Sequence, residues 1–197
     1  MSMKFGTQNF RLAQMFARSI FRLTGWRTHI IPPPTTRYVV IGAPHTSNWD
    51  FVVALILIVA EGIPMRIVGK DSLFRGPMGI LMRSVRAIPV NRREKTNFVD
   101  YMAQKFDEND EFVIGMAPEG TRKITSSWRT GFYYIALKAK VPIVMAYLDY
   151  GNKVCGLGPS LLPTGDIQAD FKIIRDFYSG IKGKHPQKQG EINLLEK

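Results

Sequence analysis

Residues 38–60 read YVVIGAPHTSNWDFVVALILIVA, and the order of these pieces decides the fold. Tyr38–Ala43 is apolar throughout and runs through Gly42, the pattern of a buried strand. Phe51–Ala60 is the longest uninterrupted apolar run and is closed by Glu61 and Gly62. It is about half of the ~20 residues needed to cross a bilayer, so it predicts a core helix. Between strand and helix lies His45-Thr46-Ser47-Asn48-Trp49-Asp50. On a continuous helix, residues five apart point about 140° away from each other. The imidazole and the carboxylate therefore meet only if His45 stays in the loop and Asp50 opens the helix. Ser47, Asn48 and Asp50 are all helix-capping types, which supports a turn here. A tight turn folds the carboxylate onto one imidazole nitrogen, fixes the tautomer and leaves the other nitrogen free as a base. The hexapeptide by itself better fits a capped helix beside an ordinary loop histidine.

Outward from this stretch, strands alternate with helices. Met65–Val68, Ala87–Val90, Glu111–Ala117 and Val141–Leu148 read as strands; Gly76–Arg83, Thr96–Phe106 and Gly131–Lys140 read as helices. Such alternation predicts an α/β fold: a mixed, mostly parallel central sheet covered by helices. These elements end at Leu148, and a polar, lysine-rich end follows Gly180.

A second motif follows the Glu111–Ala117 strand. In Pro118-Glu119-Gly120-Thr121-Arg122, Gly120 permits an unusual backbone angle or a close substrate approach. Arg122 can hold a phosphate or carboxylate through two parallel hydrogen bonds. Sites in open α/β sheets form at the carboxyl ends of strands, and both motifs follow predicted strands. A base with an orienting carboxylate, plus a separate anion-binding loop, suits acyl transfer to a hydroxyl.

With these residues the chain resembles the glycerolipid acyltransferase family, which includes bacterial lysophosphatidic acid and glycerol-3-phosphate acyltransferases. The family's H-x-x-x-x-D is matched by His45–Asp50 and its P-E-G-T-R by Pro118–Arg122. Between them the family carries an apolar segment that usually begins with glycine and ends in arginine. Here Ala87-Ile88-Pro89-Val90-Asn91-Arg92 stands in that place, with Arg86 and Ala87 where glycine is usual and Pro89 in place of an aromatic. The family's V-P-I-x-P appears as Val141-Pro142-Ile143-Val144-Met145, without the second proline. The resemblance spans roughly residues 38–150. It implies an O-acyltransferase that moves a fatty acyl group from acyl-CoA or an acyl carrier protein to a lysophospholipid or glycerol phosphate, with no other cofactor. It implies His45 as general base, Asp50 as its orienting partner, and Arg92, Glu119, Gly120, Thr121 and Arg122 as the substrate-binding set. No covalent intermediate is implied. The altered second and fourth blocks leave the acceptor open, a lyso-aminolipid included.

Composition bounds these readings. Hydrophobic residues make up 45% and charged residues 22%, ordinary for a folded domain. The lone Cys155 excludes an internal disulfide and suits a reducing compartment. His29, His45 and His185 lie far apart and lack metal-ligand spacing, so no metal site is expected. The net charge of +11 calls for an anionic partner. An anionic membrane surface or a thioester donor meets that need. A basic module that binds membrane or nucleic acid without catalysis is the competing class, although the chain shows no helix-turn-helix, zinc-finger or RNA-binding motif. At the N-terminus, Leu12, Phe16, Ile20 and Leu23 share helical spacing, as do Arg11, Arg18 and Arg22. A basic amphipathic helix of this kind lies in a membrane interface or packs on the rest of the domain, and both roles are compatible. Pro32-Pro33-Pro34 then predicts a boundary between an N-terminal helical segment, 1–31, and an acyltransferase domain, 32–197. The expected location is cytoplasmic, peripheral on a membrane.

Overall fold

A computed structural model describes residues 7–90 and 98–194, with side chains from residue 10 onward. Its elements run α1 (Thr7–Thr24), β1 (Arg27–Ile30), β2 (Arg37–Ala43), α2 (Trp49–Glu61), β3 (Met65–Lys70), α3 (Gly76–Ser84), β4 (Ile88–Val90), α4 (Phe98–Asp107), β5 (Phe112–Met116), α5 (Gly131–Ala139), β6 (Ile143–Asp149), β7 (Val154–Leu161) and α6 (Ile167–Tyr178). The seven strands form one sheet in the order β1-β7-β6-β2-β5-β3-β4. Strands β6, β2, β5, β3 and β4 are mutually parallel. β7 runs antiparallel to β6 and carries β1 beside it. The mixed, mostly parallel α/β sheet read from the sequence is the observed one.

Residues of β2 alternate between the two faces, as the pleat requires. Tyr38 and Val40 join Val113, Val144 and Leu157 on one face. α1 and α2 close that side through Ala17, Phe21, Val53, Leu57 and Ala60. Val39 and Ile41 point to the other face, where α4, α5 and α6 contribute Phe106, Phe132, Ile135 and Ile174. Fully burying each such side chain is worth about 1.5–3 kcal/mol, so the two layers fix the strand order and hold the loops at the strand ends.

Two differences from the sequence reading bear on the site. α1 is buried through Ala17 and Phe21, whereas Leu12, Phe16 and Leu23 of the apolar stripe are 59%, 71% and 88% exposed. The helix seats on α2 with one stripe and leaves a second, more apolar stripe uncovered. Three elements, β1, β7 and α6, also went unread. β1 is a short, polar edge strand on the N-terminal side of Pro32, and β7 contains Gly156, Gly158 and Pro159 in place of an alternating apolar pattern. α6 carries legible signals: the Asp166 side chain caps the Gln168 and Ala169 N–H groups, and Phe171, Ile174 and Tyr178 are buried at helical spacing. No helix among the described residues is long and apolar enough to cross a membrane.

Candidate active site

β6, β2 and β5 are neighbours, and their carboxyl ends lie side by side: Ala43 pairs with Tyr147, and Ile41 with Met116. The chain leaves β2 into the His45 loop, β5 into the Glu119 loop and β6 into Tyr150. One edge of the sheet therefore gathers residues that are far apart in sequence.

Asp50 lies in the first turn of α2 and is buried. Its Oδ2 lies 3.1 Å from His45 Nδ1 and accepts the main-chain N–H groups of Thr46 and Ser47, each at 2.8 Å. The carboxylate thus closes the tight turn that the spacing requires. Asn48 takes the N-cap position but caps nothing with its side chain, and the Ser47 hydroxyl accepts the Trp49 N–H at 3.2 Å. Oδ1 of Asp50 accepts the Tyr150 hydroxyl at 3.0 Å. Burial pushes the Asp50 carboxyl up, but the bonds from His45, the Ser47 N–H and Tyr150 outweigh it and hold the group below the usual carboxylate range. Asp50 is therefore an anion at neutral pH. An anion at this place accepts from an N–H on His45 Nδ1, the tautomer that leaves Nε2 to act as an acceptor. The His45 side chain is 24% exposed, so the imidazole is partly open to solvent.

The second motif meets the first from behind. Glu119 is buried, and its Oε1 accepts the His45 main-chain N–H at 2.8 Å. Burial raises its carboxyl to about 7, with the nearby Asp50 charge adding to the shift; the His45 N–H and the imidazole oppose it. Glu119 clamps the two loops together and faces away from solvent. Gly120 has φ +67°, a backbone angle that favours glycine, and the Arg129 side chain lies against it, with Nε 2.6 Å from where a Cβ would be. Thr121 is half-buried and accepts the Lys123 N–H at 3.2 Å, while Arg122 is exposed on the same loop. Arg92 lies outside the described residues. The structure thus brings His45, Asp50 and Glu119 into one hydrogen-bonded unit and sets Gly120, Thr121 and Arg122 on its rim.

Sequence spacing does not reveal three further features. Tyr150 reaches Asp50 across a separation of 100 residues. Arg129 adds a cation over Gly120, with its own N–H bonded to the Pro118 carbonyl at 2.8 Å. The lysine-rich end is not a loose tail: the His185 N–H donates to Thr46 Oγ1 at 3.1 Å, and Lys184 Nζ lies 4.7 Å from the centre of the exposed Trp49 ring. Gly183 sits so close that a Cβ would fall 2.9 Å from Thr46 Oγ1. The histidine at 185 meets the site through its main chain.

Comparison with known proteins bears on the family and the fold. A family profile described as "Acyltransferase" matches residues 15–148. Human 1-acyl-sn-glycerol-3-phosphate acyltransferase beta is 27% identical over 145 residues, which cover 70% of this chain and 51% of the human protein. The chain thus spans about half the length of that curated relative. The crystal structure of the 1-acyl-sn-glycerophosphate acyltransferase from Thermotoga maritima is similar in fold, with a TM-score of 0.56 at 15% identity, covering 85% of this chain and 76% of that one.

Proposed function

The chain belongs to the acyltransferase family, and on that premise we propose that it transfers a fatty acyl group from an acyl thioester to the hydroxyl of a lysophospholipid, with His45 as general base. The observation that carries this reading is the closed turn in which one oxygen of Asp50 takes His45 Nδ1 and two loop N–H groups. It presents Nε2 of a neutral imidazole to the site with its tautomer already set. In the reaction, Nε2 takes the proton of the acceptor hydroxyl while that oxygen attacks the thioester carbonyl. The tetrahedral adduct then expels the thiolate, which recovers the proton from His45. Asp50 stabilises the imidazolium between those two steps.

Arg122, exposed beside the dyad, binds the acceptor's anionic headgroup, and Arg92 joins it in that role. Glu119 holds the His45 loop against the Gly120 loop so that base and anion site keep a fixed separation. Acyl-CoA and acyl carrier protein both fit the donor role, because each is anionic and the chain carries a net +11. The exposed stripe of Leu12, Phe16 and Leu23, flanked by the exposed Arg11 and Arg22, lies in an anionic membrane surface on the side where the lysolipid resides. The likeness to human 1-acyl-sn-glycerol-3-phosphate acyltransferase beta supports a 1-acylglycerol phosphate as the acceptor.

The test is a panel of lysolipids and glycerol phosphate offered with acyl-CoA or acylated carrier protein, following free thiol and lipid product. Product from a lysophospholipid, absent with His45→Ala, is the expected result. Thioester that stays intact across the panel would overturn the proposal, and product confined to a lyso-aminolipid would move the acceptor class.

A further inference from the structure

We propose that Tyr150 is a positioning residue of this site: its hydroxyl locks the Asp50 carboxylate and, through it, the tautomer and orientation of His45. The proposal rests on the reading of His45 and Asp50 as base and orienter. Asp50 has two oxygens to satisfy in a buried place. Oδ2 is taken by His45 and by the Thr46 and Ser47 N–H groups, all within one turn of chain. Oδ1 receives the Tyr150 O–H at 3.0 Å, from the far end of β6. That donor gives a second anchor to a carboxylate otherwise held through Oδ2 alone. Without it, an unpartnered carboxylate oxygen would be left buried.

Tyr150 is itself held on three sides. Its ring stands edge-on to Trp26, with centroids 5.0 Å apart and planes at 86°, and Trp26 meets Phe21 of α1 at 6.3 Å. Its main-chain N–H donates to the Lys182 carbonyl at 2.8 Å. The turn that follows is pinned by Asp149, which accepts the Gly151 and Asn152 N–H groups. Burial and the Asp50 charge raise the phenol, so it stays a protonated donor throughout the working pH range. A rigid neutral donor aimed at an anion is what an orienter of the orienter requires.

The consequence for His45 has a definite sign. The phenol draws negative charge toward Oδ1; removing it leaves more charge on Oδ2, which its two main-chain donors keep in place. A more negative Oδ2 stabilises the imidazolium, so His45 holds its proton to higher pH. The other groups facing the pair are Glu119, behind the His45 N–H, and the C-terminal segment, where Lys184 lies over Trp49 and His185 meets Thr46 through its main chain. Glu119 titrates at about 7. The quantity to read is therefore the difference between variant and parent, not either value alone.

The experiment follows the imidazole of His45 by NMR against pH in the full chain, with His45→Ala assigning its resonance among the three histidines. Tyr150→Phe keeps the ring on Trp26 and removes only the hydroxyl. It should raise the His45 midpoint by about half a pH unit and lower turnover about tenfold, with the acid limb of the pH–rate profile moving the same way. Replacing Tyr150 by 3-fluorotyrosine strengthens the donor at nearly constant size and should move the midpoint down. It also serves as the readout should Tyr150→Phe fail to fold. A His45 midpoint unmoved by either change would make Tyr150 a packing residue and overturn the proposal. Because the titration needs no substrate, a chain that shows these shifts yet transfers no acyl group would refute the acyltransfer reading alone.

Discussion

Two buried aspartates in this protein are dressed almost identically, and they do different things. Asp50 takes four donors: His45, the N–H groups of Thr46 and Ser47, and Tyr150. Asp170, in the first turn of α6, takes three: the Tyr133 hydroxyl at 2.8 Å, the Thr164 N–H at 2.8 Å and the Thr164 hydroxyl at 3.0 Å. Both are almost fully buried, and no buried side-chain polar atom among the described residues lacks a partner. What separates them is an outlet. Every side-chain partner of Asp170 is neutral, and Tyr133 is raised to about 12, first by burial and then by Asp170, so nothing there changes charge near neutrality. The Tyr133 hydroxyl passes on only to receive the Gly165 N–H at 3.1 Å. Asp50 instead connects to a partly exposed imidazole that can take and return a proton. Hydrogen-bond saturation makes a carboxylate rigid; a titratable partner at the surface makes it part of a reaction.

That contrast predicts which property each substitution removes. The largest effect belongs to His45→Ala, which takes away the outlet itself. Acyl transfer should fall by about 10⁴-fold, while the thermal midpoint stays near wild type, because a half-open side chain is lost and not a core contact. Near-normal turnover in a folded His45→Ala protein would erase the distinction between the two networks. Asp50→Asn should cost about 10³-fold in turnover, since an amide can offer a donor to Nδ1 and favour the wrong tautomer. It should also lower stability, because an amide placed with its nitrogen toward the Thr46 and Ser47 N–H groups clashes with two donors.

Asp170→Asn should do the reverse. Breaking that buried network is expected to cost about 3 kcal/mol and roughly 6–12 °C in Tm, with turnover at low temperature within twofold of wild type. A drop in turnover without a drop in Tm would mean that the α5–α6 network reaches the site. Glu119 stands between the two cases: it is buried like Asp170 yet hydrogen-bonded to the His45 loop. Its carboxyl rises from 4.5 unfolded to about 7 folded, so the folded state favours the protonated form. Stability from this group is complete below about 4.5 and is lost as pH climbs through about 7, by something on the order of 3 kcal/mol. Glu119→Gln keeps an oxygen for the His45 N–H and should flatten the fall in Tm between pH 5 and 8. An unchanged slope would assign that fall to other groups. The smallest effect is expected at the rim, where Arg122→Lys should raise the acceptor KM about tenfold, with the donor KM little changed. If only the donor KM moved, Arg122 would belong to the thioester side.

How legible the protein was depends on how local the cause is. The strand at 38–43, the apolar helix after it and the five-residue spacing between His45 and Asp50 are decided within one turn of chain. The local pattern alone required His45 in the loop and Asp50 on the helix, and the structure has them there. The alternation of strands and helices predicted the parallel part of the sheet for the same reason, since periodicity of 2 and 3.6 is set by neighbours. The family blocks located the Glu119 loop at a strand end, but not that Glu119 turns inward to clamp the His45 main chain. That orientation follows from β5 lying next to β2, which no stretch of either strand announces.

The remaining features were decided only by tertiary structure. Tyr150 joins Asp50 because β6 pairs with β2 on the side opposite β5, which brings the ends of three strands together. The segment around His185 closes on the Thr46 hydroxyl through the His185 N–H, a main-chain donor that carries no side-chain signature. The stripe of Leu12, Phe16 and Leu23 was visible as a period, but its direction was not: α1 turns Ala17 and Phe21 to α2 and leaves that stripe outside. Hydrophobic periodicity says that a helix has a preferred face. What that face meets is fixed by the surfaces that remain uncovered once the sheet has formed.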